Sequence, residues 1–88
     1  MSTTKTRTPT PASERFRAWL AGDARSYDAI ADIIGTNKSS LSQWANGWNR
    51  PTIQRAARIE ALTDGRVSVA DWLTADEVAQ VRAVRMLA

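Results

Sequence analysis

Cysteine and histidine are both absent from this chain of 88 residues. Their absence excludes a disulfide framework, a thiolate or imidazole ligand set for a metal, and a nucleophile activated by a histidine base. Glycine is scarce, with four scattered residues, so no glycine-rich loop is available to cradle a phosphate. Carboxylates are present, but none forms a pair in a recognisable catalytic context, and no enzyme activity or cofactor is expected. No apolar run approaches the ~18 residues that a membrane span needs. The first residues also lack the apolar stretch of a secretory signal, so a cytoplasmic protein is expected.

What is present fits one small domain, which buries about 60 to 65% of the surface its unfolded chain exposes. Four Trp, together with Ile, Leu and Val, supply core material. The net charge of +3 and pI near 10.2 point mildly to a polyanionic partner. The surplus is unevenly placed. Residues 1–25 hold five cations (Lys5, Arg7, Arg15, Arg17 and Arg25) against Glu14 and Asp23, and the rest of the chain sums to zero.

Residues 27–51, YDAIADIIGTNKSSLSQWANGWNRP, read as two short helices joined by a tight turn. In the first, Ser26 is a fair N-cap, and Tyr27, Ile30, Ala31, Ile33 and Ile34 make the apolar face, with Asp28 and Asp32 opposite. Gly35 follows the last periodic residue, where a chain leaving a helix often needs positive φ. Asn37 caps the second helix. There Leu41, Trp44 and Ala45 share the buried face, and about 100° of rotation per residue puts Ser39, Ser42, Gln43 and Asn46 on the other, with Lys38 at its edge. Gly47 ends that helix, and Pro51 favours the first turn of the next.

Around this centre, residues 1–10 are polar and without periodicity, and read as a disordered arm carrying Lys5 and Arg7. Thr10 and Pro11 open a first helix whose core stripe is Phe16, Trp19 and Leu20, broken by Gly22 and Asp23. Thr52 to Asp64 forms a further helix with Ile53, Ala56, Ile59 and Leu62 each three apart, and with Arg55 and Arg58 as exposed cations, either on a solvated face or in a phosphate contact or an interface. Two capping boxes follow, Ser68 with Asp71 and Thr74 with Glu77. The first predicts a short helical turn holding Trp72 and Leu73 against the core. The second predicts a helix from about Ala75 with Val78, Val81, Val84 and Leu87 apolar. That helix either folds back on the core or makes a dimer contact.

The order and spacing of Ile30, Ala31, Gly35, Leu41, Ser42, Trp44, Gly47 and Pro51 resemble the helix-turn-helix of the Cro and phage-repressor (Xre) family, over roughly residues 16–62. Three positions depart from that pattern: the family usually has Gln where Tyr27 stands, an apolar residue where Thr36 stands, and Glu where Ala45 stands. The resemblance implies an all-α bundle of five to six helices, lambda-repressor-like, with a DNA-binding domain over residues 11–73 and a C-terminal helix over residues 74–88. It implies base reading in the major groove by Lys38, Ser39, Ser42 and Gln43. It places Tyr27, Asn37, Asn46, Trp48, Asn49 and Arg50 at the DNA backbone, with Lys5 and Arg7 of the arm following the duplex. The chemistry of these side chains agrees: Gln can pair bidentately with adenine, and Lys can donate to guanine O6 and N7.

The expected function is a sequence-specific DNA-binding regulator, Cro-like or autoregulatory, acting as a homodimer on a pseudo-palindromic operator and so associated with the nucleoid. Two alternatives stay open. One is an antitoxin that represses its own operon while its C-terminal segment binds a toxin. The other is a helical module that uses the same motif for a protein partner.

Overall fold

The computed structural model describes residues 7–87, and within them the protein is all-α. Five helices, α1 (Pro11–Gly22), α2 (Tyr27–Ile34), α3 (Lys38–Ala45), α4 (Ile53–Leu62) and α5 (Ala75–Leu87), are joined by turns, with one 3₁₀ turn, Val69–Trp72, before α5. Residues 1–6 of the expected arm, Lys5 among them, lie outside the described residues.

Most helix starts are set by local side chains. Thr10 caps α1: its hydroxyl accepts from the Ser13 N–H at 3.2 Å, and Ser13 Oγ accepts from the Thr10 N–H at 2.9 Å, closing a capping box ahead of Pro11. Ser26, Asn37 and Thr52 cap α2, α3 and α4 by accepting from the N–H three residues on. Both predicted boxes near the C-terminus form. The Ser68 N–H donates to Asp71, and the Thr74 N–H donates to Glu77 while Thr74 Oγ1 accepts from the Glu77 N–H. Pro51 departs from expectation, because it precedes the cap Thr52 instead of occupying the first turn of α4.

The core is drawn from every element up to Trp72. Phe16 and Leu20 of α1 meet Ile30, Ala31 and Ile34 of α2, Leu41, Trp44 and Ala45 of α3, and Ala56 and Ile59 of α4, with Val67 and Trp72 closing the far side. α1 lies against α3 and the 3₁₀ turn, and α2 against α3 and α4. Phe16 sits between two tryptophans, stacked on Trp19 (6.3 Å, 11°) and edge-on to Trp72 (6.0 Å, 70°). Each fully buried Phe, Ile, Leu or Val contributes about 1.5 to 3 kcal/mol of apolar transfer.

Four expectations need correcting. Ile33 is 50% exposed, because it lies about 80° from the line midway between Ile30 and Ile34. Tyr27 is likewise exposed at the start of that stripe. Ile53 is 81% exposed: a three-residue step drifts about 60° each time, so the stripe that buries Ala56 and Ile59 has rotated away from the core at Ile53. Arg55 and Arg58 are not simply solvated, since they donate to the last carbonyls of α2, Arg58 Nη1 to Ile34 O at 3.0 Å and Arg55 Nε to Gly35 O at 3.2 Å. These bonds satisfy acceptors that the end of any helix leaves open. α4 thereby holds the helix-turn-helix from behind.

Residues 8–10 belong to the domain and not to an arm. Thr10 is buried, and the Thr8 N–H donates to Gly47 O at 2.8 Å. At the other end α5 buries none of its residues, so core packing is not the role of this helix in the single chain.

Candidate nucleic-acid interface

The turn between α2 and α3 is fixed by Gly35, which adopts φ 87°. The N–H groups of Gly35 and Thr36 both donate to Ala31 O, at 2.8 and 2.9 Å. Asn37 then stops the turn by accepting the Ser40 N–H on Oδ1 at 2.9 Å. This orients α3 so that Leu41, Trp44 and Ala45 are buried, Ser39, Ser42 and Gln43 are exposed together on the opposite face, and Lys38 is exposed at its edge in the first turn. Ser39, Ser42 and Gln43 line one shallow depression with Asn46 and Trp48. Five of the predicted site residues therefore share a single concave surface.

Inside that surface the polar groups are already paired with one another. Asn49 Nδ2 donates to Gln43 Oε1 at 2.5 Å, and the Trp48 N–H donates to Gln43 O at 2.9 Å. The Gln43 amide is held from the turn that follows its own helix. Asn46 bends back, its Nδ2 donating to Ser42 O at 2.8 Å, so this side chain caps α3 instead of projecting outward. Trp48, 38% exposed, carries the Arg7 guanidinium 5.9 Å above its ring. Arg7 is thus brought to the end of α3, beside the residues it was expected to accompany on DNA.

Tyr27, Asn37 and Lys38 are exposed at the first turns of α2 and α3. Arg50 stands apart from the other predicted contacts. Its Nη1 donates to Glu77 Oε1 at 2.5 Å and to Trp72 O at 3.3 Å, which ties the segment after α3 to the start of α5. Glu77 also accepts from the Thr74 N–H, and that bond first, then the Arg50 guanidinium, holds its carboxyl below its ordinary value of 4.5. A lowered folded-state pKa contributes stability above the ordinary value and loses it as pH falls through the folded one. Acidification to below the ordinary value is therefore expected to loosen the start of α5. Amide exchange corrected for intrinsic rate should speed up at Val78, whose N–H donates to Thr74 O, while α1, whose box contains no carboxylate, keeps its protection.

The surplus charge of the N-terminal residues is partly consumed internally. Arg15 pairs with Asp71 at 2.6 Å, and Arg25 pairs with Asp23 at 2.9 Å and covers the Trp19 ring. The guanidinium hydrogen bonds push the Asp23 carboxyl down to about 2. Neither arginine was distinguishable from Arg7 or Arg17 by sequence, because Asp71 is distant in the chain and the Asp23 pairing depends on a turn.

No family model, no curated protein and no solved structure matches this chain. Among the described residues no helix is long and apolar enough to cross a membrane, and no cluster of carboxylates is placed to hold a metal ion.

Proposed function

We propose that the chain is a sequence-specific DNA-binding regulator of helix-turn-helix type, similar to the Cro and phage repressors, that represses transcription as a homodimer. The observation that carries this reading is α3. It has one wholly buried face and an opposite face of Ser39, Ser42 and Gln43 with Lys38 at its edge, held at a fixed angle by Gly35 and Asn37. Eight residues of helix are about 12 Å long, and the major groove is about 12 Å wide. Short serines let the backbone approach the base edges, and Gln43 supplies a donor and an acceptor for adenine N7 and N6.

Asn49 is assigned here to positioning. By donating to Gln43 Oε1 it leaves the second lone pair of that oxygen, and the Gln43 Nε2 hydrogens, to face outward. Tyr27, Lys38, Arg7 and the Trp48 edge remain for phosphate and sugar contacts, which set register without reading sequence.

One monomer reads too short a site to be selective, so the homodimer binds two half-sites about 34 Å apart. With about six phosphates neutralised, log K is expected to fall with log salt at a slope near −5. Fluorescence anisotropy of a labelled duplex from the protein's own upstream region, against a scrambled duplex at several salt concentrations, tests both points. A slope near zero would sink the proposal, and equal affinity for the two duplexes would remove sequence specificity from it.

A further inference from the structure

α5, which has no buried residue, has a pattern of its own. Along α5, Glu77, Val78, Val81, Val84 and Arg85 all fall within about 60° of the Val81 direction, at 100° per residue. Of these, Val81 is 49% exposed and Val84 66% exposed, and Met86 and Leu87 beyond them are 86% and 87% exposed. The pattern reads the same from either end once charge is reversed: an anion, a valine, a central valine, a valine and a cation.

We propose that α5 pairs antiparallel with α5 of a second copy about a two-fold axis through Val81. This deepens the homodimer reading above and rests on it. Rotation about that axis sets Val81 against the partner's Val81, Val78 against the partner's Val84, and Glu77 against the partner's Arg85. An isologous interface requires a surface complementary to itself, and a stripe with opposite charges at its two ends meets that requirement only when antiparallel. Parallel pairing would oppose Glu77 to its own copy and Arg85 to its own copy. The hydrogen bonds described for Glu77 both end on Oε1, which leaves Oε2 for the partner's cation while Arg50 keeps its place.

Two helices of about 20 Å bury less than the ~1,200 Å² of a stable dimer, so the contact has to extend beyond them. The paired side of α5 continues past Glu77 into an open groove whose lining includes Ile53, Val69, Leu73 and Thr74, and the antiparallel alignment sets the end of the partner's α5, at Arg85, over the mouth of that groove.

The absence of cysteine makes the test clean. Facing Cα atoms of helices 8 to 10 Å apart lie about 4 to 6 Å from each other, within the reach of a disulfide. Val81→Cys is expected to cross-link rapidly to a dimer under mild oxidation without DNA, and Ala79→Cys, about 160° around the helix, is not. Val81→Asp places two carboxylates at the axis and should raise the dimer Kd at least ~100-fold by sedimentation, with unchanged helicity. The same variant should halve the salt slope on the duplex to about −2.5. Cross-linking at Ala79→Cys as fast as at Val81→Cys, a dimeric Val81→Asp, or a wild-type chain that sediments as a monomer at ~100 μM, a dimer Kd well above which would amount to under ~6 kcal/mol of association, would each overturn the pairing. Cross-linking at Val81→Cys in a protein that fails the duplex assay would support the interface and remove the DNA reading alone.

Discussion

Gly47→Ala is expected to lower the melting temperature by roughly 10 to 25 °C, at about 4 to 8 °C per kcal/mol for a domain of this size. Two costs combine at this residue. Gly47 adopts φ 77°, a left-handed conformation that costs a residue with a Cβ about 1 to 2 kcal/mol. A Cβ at Gly47 would also lie 2.9 Å from Pro9 Cα and N and 3.2 Å from Thr8 C, and backbone cannot turn aside as a side chain can. Relief requires residues 7–9 to lift off, which gives up the Thr8 to Gly47 hydrogen bond, about 1 kcal/mol, and the Arg7 contact with Trp48. Gly65→Ala is the control. Gly65 has φ 82° with nothing within 4 Å, so only the conformational cost applies and its loss should be about half as large. Equal shifts in thermal melts of the two variants would mean that the contact of residues 8 and 9 with Gly47 contributes nothing.

Gln43→Ala is expected to weaken binding to the cognate duplex by about 5- to 150-fold, equivalent to 1 to 3 kcal/mol, and to leave binding to random duplexes nearly unchanged. Asn49 provides the sharper version. Asn49→Asp keeps the size of the side chain but replaces its donor with an acceptor, so the Gln43 amide must turn over to present Nε2 inward. The outward face then holds an acceptor where adenine N7 needs a donor. The expected result is a change in which base is preferred at one position of each half-site, read by anisotropy across duplexes substituted at single pairs. A purely structural role for Asn49 would weaken every duplex by the same factor.

Local chemistry was legible in the sequence because its partners lie three or four residues apart. The caps of α1, α2, α3 and α5, the positive φ of Gly35 and the buried trio Leu41, Trp44 and Ala45 all follow from spacing alone. The exposed face of α3 followed for the same reason, since burying one side of so short a helix leaves Ser39, Ser42 and Gln43 outside. Interactions between distant parts of the chain were not legible. Arg58 reaches Ile34 and Arg15 reaches Asp71 only after folding, and nothing about those arginines distinguishes them beforehand. Asn49 with Gln43 fails for another reason. The two are near in sequence, but a left-handed Gly47 lies between them, and neither helical nor extended geometry alone would bring them together. The three-residue spacing along α4 did not say which end of its stripe would lack a neighbour within the chain.

The link through Arg50 has a consequence for measuring distance. Among the described hydrogen bonds α5 is tied to the body of the domain by the Arg50 guanidinium, and none of its residues is buried, so its angle to α3 is held by a strut a single side chain long. In the proposed pair joined at α5, any play in that strut would be doubled in the separation of the two α3 helices. Such a pair would accept half-sites over a range of spacings, and Arg50 would set the range.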